Sequence, residues 1–187
     1  TVLCSVLDAD EVLPLNAAVA TDFPERVALG AAWLQKTSGA SRALAVTDRS
    51  FAPPAAFAAA GLRRVVVAHA YPQLHSSMLL RVVLKRRLSP HRLPTDAGVI
   101  VIDAAAAFVI GQCLTAENAG PPPSRSTVSI PVGWCDTATG RSSFVLVKPT
   151  ASWRNVIQDT QPNLEFETHA AVTSLGPRLA NRPGRLE

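Results

Sequence analysis

Short uninterrupted apolar runs alternate with helix-forming segments along the first two thirds of this chain of 187 residues. The runs occupy residues 2–7, 43–46, 65–68 and 98–102. A strand that is covered by helices on both faces is apolar throughout, whereas a strand with one wet face alternates between apolar and polar residues. The pattern therefore predicts an α/β fold in which a parallel sheet lies between two layers of helices.

Helix start signals lie between these runs. Asp22 as a cap, Glu25 three residues later and Pro24 in the first turn predict a helix that follows the first run. The pair Pro53-Pro54 predicts a second helix, which continues to residue 60. Two further helices are predicted at residues 76–87 and 104–117, so that a helix follows every apolar run.

The composition changes at residues 118–124, where three consecutive prolines and a glycine predict a linker. Beyond it, short strands are predicted at residues 127–130, 143–147 and 169–173, and a short helix at 152–158. We therefore predict two domains, a Rossmann-like α/β domain over residues 1–120 and a small α+β module over residues 126–187.

Charge and hydrophobicity exclude several classes of protein. Hydrophobic residues make up 48% of the chain and charged residues 17%, which is enough for a sizeable core. The longest apolar run, residues 104–114, is too short to span a bilayer, so no direct membrane insertion is expected. The net charge of +4 permits nucleic-acid binding, but the basic residues are mostly scattered and only Tyr71 lies near the densest cluster. That cluster is interpreted as a solvated helix end, and no nucleic-acid partner is expected; it comprises Arg81, Lys85, Arg86, Arg87, His91 and Arg92.

The three cysteines, Cys4, Cys113 and Cys135, form no C-x-x-C pair. A disulfide framework and an iron–sulfur motif are therefore not expected, and each cysteine is interpreted as a small buried hydrophobic residue. No histidine stands at metal-ligand spacing from the carboxylates, so no metal site is predicted. This cysteine usage favours a reduced, cytoplasmic compartment.

Polar residues follow each predicted strand at its carboxyl end, which is where open parallel sheets bind ligands. Two interpretations are open for Asp48 and Asp103, because each could cap a helix or contact a ligand. The sequence contains no G-x-G-x-x-G, Walker, H-E-x-x-H or G-x-S-x-G motif. The residues at the four strand ends are Asp8 and Asp10, then Asp48, then His69 and Tyr71, and finally Asp103.

Two segments carry a family resemblance. Residues 71–73 read Y-P-Q, and residues 93–101 read L-P-T-D-A-G-V-I-V. In this order and spacing they resemble the RnfC family, the soluble subunits of the ion-translocating Rnf electron-transport complex. That family is related to the flavin subunit of respiratory complex I and to the cobalamin reductase of propanediol microcompartments. Residues 45–56, 127–133, 144–157 and 175–177 are similar to further family segments in the same order.

The resemblance implies a three-layer domain like that of the complex I flavin subunit, followed by a β-grasp soluble-ligand-binding module. It also implies an FMN held by a Gly-rich loop, by an N-G-A-E-x-E-P segment and by an N-N-V-x-T segment. The Gly-rich loop would precede Thr1, which fits the absence of an initiator Met and predicts a segment of a longer protein. The second segment falls on residues 4–10 and the third on residues 102–106, and both asparagines of the third are lost. The cofactor-binding candidates are then Asp8, Asp10, Asp48 and Asp103.

Three functions follow as hypotheses. The favoured one is a fragment of a cytoplasmic electron-transfer subunit with an eroded flavin site, which binds other subunits of a redox complex peripheral to a membrane or inside a microcompartment. The second is a working NADH oxidoreductase domain with FMN, in which Asp10, Asp48 and Asp103 take variant roles and a dinucleotide is the partner. The third is a small-ligand-binding module unrelated to redox chemistry. On the resemblance, Asp10, Asp48 and Asp103 are expected to line one edge of the sheet.

Overall fold

A parallel β-sheet of four strands forms the centre of the molecule. The computed structural model describes residues 1–8, 13–68, 75–89, 91–117, 128–136, 140–152 and 156. The strands are β1 (Val2–Ser5), β2 (Ala43–Thr47), β3 (Arg63–Val66) and β4 (Ile100–Asp103), and their order across the sheet is β3-β2-β1-β4. The predicted α/β fold class with a parallel sheet is confirmed.

Helices cover both faces of the sheet, which has the connections of a doubly wound fold. The helices are α1 (Leu15–Asp22), α2 (Pro24–Thr37), α3 (Ala55–Ala59), α4 (Ser76–Leu84) and α5 (Ala104–Glu117), with a 3₁₀ turn at Pro94–Ala97. The chain passes from β1 to β2 and then from β2 to β3, moving in one direction across the sheet. The connection from β3 to β4 then returns past β2 and β1 to the other edge. Since such crossovers are right-handed, α4 must lie on the opposite face from α1, α2 and α3.

Two separate core clusters match these faces. Val2, Cys4 and Ala45 point to the first face, where they pack with residues of α1, α2, α3 and α5, including Phe57 and Phe108. The intervening strand residues point to the second face, where they pack against α4; they include Leu3, Leu44 and Val46, with Leu79 and Leu80 of the helix. Alternation along each strand thus divides the apolar runs between two cores.

Helices α2 and α5 cross at a pair of glycines. A Cβ atom at Gly30 would overlap the carbonyl oxygen of Ala107, and one at Gly111 would overlap the carbonyl oxygen of Arg26. Each glycine therefore lets the backbone of the other helix approach directly. This reciprocal contact holds α5 against α2 on the first face of the sheet.

A hairpin of β5 (Ile130–Asp136) and β6 (Arg141–Val147) forms a second, antiparallel sheet. Phe144 of β6 meets Phe23 edge-on with ring centroids 6.3 Å apart, and Phe23 packs on Phe108 at 4.9 Å. The side-chain amide of Gln112 donates to the carbonyl of Ser129 (2.7 Å) and accepts from its N–H (3.3 Å). The hairpin is therefore anchored to the helices on the first face.

The predicted helices following the first two apolar runs are present, but their boundaries include one error. Asp22 is not the cap of α2; it is the last residue of α1, and Phe23 occupies the cap position without a side-chain hydrogen bond. Helix α1 has no start signal of its own and was not expected. The prediction for α5, from residue 104 to about residue 117, is confirmed.

Several other boundaries differ from the predictions; β1 ends at Ser5 rather than residue 7, and β4 begins at Ile100 rather than residue 98. Strand β3 begins two residues early, because an edge strand tolerates Arg63 and Arg64 on its exposed sides. Helix α4 ends at Leu84 rather than residue 87, because Lys85 adopts the left-handed conformation with φ +56°. Strand β5 begins at Ile130, where the 127–130 prediction ends.

Several predictions fall outside the described residues: the linker, the strand at 169–173 and most of the helix at 152–158. In that helix only the Val156 N–H bond to the Ser152 carbonyl (3.2 Å) is described. The division into two domains stays a prediction. Within the described ranges, no helix is both long and apolar enough to cross a membrane.

Candidate functional site

The carboxyl ends of β1 and β4 flank the topological switch point of the sheet. The chain leaves β1 toward β2 on one side, whereas β4 pairs with β1 on the other side. Helix α5 begins directly after β4, and α1 is the first helix after β1. In open α/β sheets a crevice of this kind receives ligands, and helix N-termini favour anionic groups.

The side chain of Asp8, a residue that precedes α1, lies at the N-terminus of that helix. The side chain is buried, with 6% of its surface exposed. Its two carboxylate oxygens accept hydrogen bonds from the N–H groups of Asn16 (2.6 Å) and Ala17 (3.1 Å). A carboxylate of this chain therefore holds the N–H groups that an anionic ligand would otherwise contact.

Asn16 and Asp103 complete the arrangement at α5. The Asn16 amide donates to the carbonyl of Leu7 (3.3 Å) and accepts from the N–H of Ala105 (3.1 Å). Asp103 accepts from the N–H of Ala106 (2.7 Å) and so caps α5, which is one of the two interpretations that the sequence left open. We call Asp8, Asn16 and Asp103 the switch-point network. Sequence reasoning missed Asn16, because its role depends on a contact with residue 105, which is distant along the chain.

Asp48 lies at the same edge of the sheet but takes a different role. Its Oδ1 accepts from the Ser50 hydroxyl (2.8 Å) and from the Phe51 N–H (2.8 Å), so it shapes the loop after β2 rather than a helix N-terminus. Strand β1 lies between β2 and β4, which places the Asp48 and Asp103 backbones two strand spacings apart, about 10 Å or more. Asp10, His69 and Tyr71 lie outside the described residues. A ligand role for the four carboxylates stays a prediction.

A second feature of this edge is an open groove of about 820 Å³ at the carboxyl ends of β2 and β3. The Arg64 side chain runs from β3 across to the loop after β2. Its Nε donates to the Thr47 hydroxyl (3.1 Å), and its Nη2 donates to the carbonyls of Asp48 (3.0 Å) and Phe51 (2.6 Å). Sequence reasoning missed Arg64, because a basic residue on an edge strand is usually a solvated charge.

Cys4 is fully buried in the first core cluster. Burial, and secondarily the negative charge of Asp103, raises the pKa of its thiol to about 12. A thiol with this pKa is protonated at neutral pH and is a poor nucleophile. The interpretation as a small buried hydrophobic residue is confirmed for Cys4, whereas Cys113 and Cys135 are only half-buried.

The raised pKa predicts a loss of stability in alkali. Below the ordinary thiol pKa of 9.0 the folded and unfolded states are both protonated, but above it the unfolded thiol ionises while the buried one does not. The free energy of unfolding should therefore fall by about 1.4 kcal/mol for each pH unit above 9, until the pH approaches the folded pKa. Urea denaturation of the wild type and of Cys4→Ala across this range measures the effect. The other two cysteines are common to both proteins, so parallel curves would contradict the prediction.

Among the described residues there is no group of three or more His, Cys, Asp or Glu side chains arranged to hold a metal ion. The candidate chemistry of this edge therefore lies in hydrogen-bonded carboxylates, the amide of Asn16, and the two arginines that line the groove, Arg49 and Arg64. No protein-family model matches the chain, and no curated protein matches it.

Proposed function

We propose that this chain is an RnfC-like segment of an electron-transfer assembly that serves as a scaffold or partner-binding element and binds no flavin at its switch point. The observation that supports this proposal is the switch-point network. Its members accept hydrogen bonds from the N–H groups at the N-termini of both α1 and α5. A bound phosphate would need the same donors.

Electrostatic repulsion also disfavours a flavin phosphate at the switch point. The phosphate of FMN is a dianion, and here it would approach the carboxylates of Asp8 and Asp103. Repulsion between like charges weakens such binding, and displacing Asp8 would leave a buried carboxylate without the two N–H groups that it now accepts from. The described residues at this crevice therefore do not fit the phosphate of a flavin.

The finer fold belongs to the same proposal. We infer that the sheet and its helices correspond to the flavin-subunit-like domain of the family, and that β5 and β6 begin its β-grasp module. The order of elements supports this inference, because an antiparallel hairpin follows the last helix of a parallel-sheet domain. The anchoring of the hairpin through Gln112 and Phe144 would then fix the module against α2 and α5.

A flavin titration tests the function. We expect that any saturable quenching of FMN fluorescence by the purified chain, at protein concentrations up to about 100 µM, disappears in Arg49→Gln, a variant that alters the groove and leaves the switch-point network intact. A known flavoprotein in its apo form provides the positive control.

The alternative, a working FMN-dependent NADH oxidoreductase, makes the opposite prediction. A longer polypeptide that carries this segment would then purify yellow, release one FMN per chain and oxidise NADH with an artificial acceptor. Either saturable FMN binding that persists in Arg49→Gln or this set of results would overturn the proposal.

A further inference from the structure

The groove at the ends of β2 and β3 has the size and the wall chemistry of a small-ligand site. Its volume of about 820 Å³ lies within the range of ligand pockets. One wall is the loop of Asp48, Arg49 and Ser50, and the other is the end of β3, where 44% of the Val66 surface is exposed. A polar wall therefore faces an apolar one.

Arg64 places a fixed positive charge in this groove. Three hydrogen bonds hold its guanidinium, and all three acceptors are neutral oxygens rather than carboxylates. One acceptor, the hydroxyl of Thr47, belongs to a fully buried residue. The bonds orient the planar group without neutralising it, and a pre-oriented guanidinium loses little side-chain entropy when it binds an anion.

The other polar side chains of the groove indicate which kind of anion would bind there. Arg49 brings a second guanidinium to the lining of the groove. The carboxylate of Asp48 lines it too, and its Oδ1 is oriented by Ser50 and by the Phe51 N–H. Two guanidinium groups suit a phosphate dianion, and a carboxylate suits a hydroxyl donor. A ligand that satisfies both carries a phosphate and free hydroxyl groups.

The switch-point network limits the length of the ligand. A dinucleotide in a doubly wound fold lays its pyrophosphate on the first helix N-terminus, and here Asp8 occupies that position. We propose that the groove binds a sugar phosphate, with the phosphate on Arg49 and Arg64 and a sugar hydroxyl on Asp48. A free sugar phosphate and a nucleoside monophosphate share this chemistry.

Calorimetric titration of the chain with ribose 5-phosphate, adenosine 5′-monophosphate and inorganic phosphate at physiological salt tests the proposal. We expect saturable binding of ribose 5-phosphate and at least about tenfold weaker binding of inorganic phosphate, since the latter lacks the hydroxyls that Asp48 would accept from. Tighter binding of the nucleotide than of ribose 5-phosphate would identify Val66 as a surface for the base. Equal binding of the two would assign the site to the free sugar phosphate.

Matched arginine variants separate a built site from general electrostatics. Arg63 is the neighbour of Arg64 on β3, but it pairs in register with Leu44 of the second face, whereas Arg64 pairs with Ala45 of the first face. Arg49→Gln should weaken ribose 5-phosphate binding by about tenfold or more, and Arg63→Gln should change it by less than about twofold. An equal loss in both variants would overturn the proposal.

Asp48→Asn provides a second measurement that does not depend on removing an arginine. Asparagine keeps the oxygen that Ser50 and Phe51 donate to, and it removes one negative charge from the groove. Binding of inorganic phosphate should tighten, and the preference for ribose 5-phosphate over phosphate should shrink. The absence of saturable heat with ribose 5-phosphate up to about 10 mM, a concentration that would fill a site with a millimolar Kd, would overturn the proposal regardless of any flavin result.

Discussion

Replacing Gly111 by alanine is expected to lower the free energy of unfolding by about 3 kcal/mol, the upper end of the usual range for overpacking. The added methyl group would overlap the carbonyl oxygen of Arg26, which is backbone and has no alternative rotamer. The only relief is to move α2 and α5 apart, which opens the first core cluster around Val27 and Phe108. Urea denaturation followed by circular dichroism measures the change.

The sign of this effect is informative because helix propensity acts the other way. Alanine in place of glycine inside a helix normally stabilises by about 1 kcal/mol. Ala106→Gly, at an exposed position of the same helix, serves as the control and should lose only that amount. A Gly111→Ala variant more stable than the wild type would contradict the close crossing.

Gly30→Ala should have a similar effect, because it meets the Ala107 carbonyl at the same crossing. The double variant should then lose less than the two single losses added together. Once the first methyl group has separated the helices, the second finds space already open.

Removing the carboxylate of Asp8 is the second large effect. We expect Asp8→Ala to lower the free energy of unfolding by about 3 kcal/mol, because a buried cap is lost and the N–H groups of Asn16 and Ala17 lose their acceptors. Chemical denaturation again provides the measurement. Asp8→Asn keeps one acceptor oxygen and should lose about 1 kcal/mol.

Asp22→Ala is the matched control for this prediction. Asp22 lies at the opposite end of α1, is exposed, and stands near the negative end of the helix dipole. Its removal should leave the stability unchanged within about 0.5 kcal/mol. A similar loss in the Asp8 and Asp22 variants would indicate that Asp8 acts through general charge rather than through its hydrogen bonds.

Much of the sheet domain could be predicted from local patterns. The apolar runs located all four parallel strands, and the helix from residue 104 to about residue 117 was predicted correctly. These signals succeed because burial on both faces demands a continuous apolar run, and because the length of each run limits the strand. The predicted boundaries were wrong at the edge strand β3, where Arg63 and Arg64 are exposed, and also in the inner strand β1, which ends two residues before its apolar run does.

The candidate sites were predicted only in part. The sequence indicated Asp8, Asp48 and Asp103 at the strand ends, since parallel strands bring their carboxyl ends to one edge. It did not indicate Asn16 or Arg64, whose partners lie at Ala105 and in the loop after β2. Both side chains take their roles from contacts between segments that are distant along the chain.

The α/β class, the parallel strands and the edge at which polar groups collect could all be inferred from apolar periodicity and local helix signals. The contacts of those polar groups, in contrast, depend on how the elements pack together. Strand order placed β1 between β2 and β4, and so separated Asp48 from Asp103. Two glycines brought α5 against α2, and Asn16 of α1 accepted a hydrogen bond from the N-terminus of α5. Such outcomes depend on three-dimensional packing and hydrogen-bond satisfaction, which no local pattern encodes.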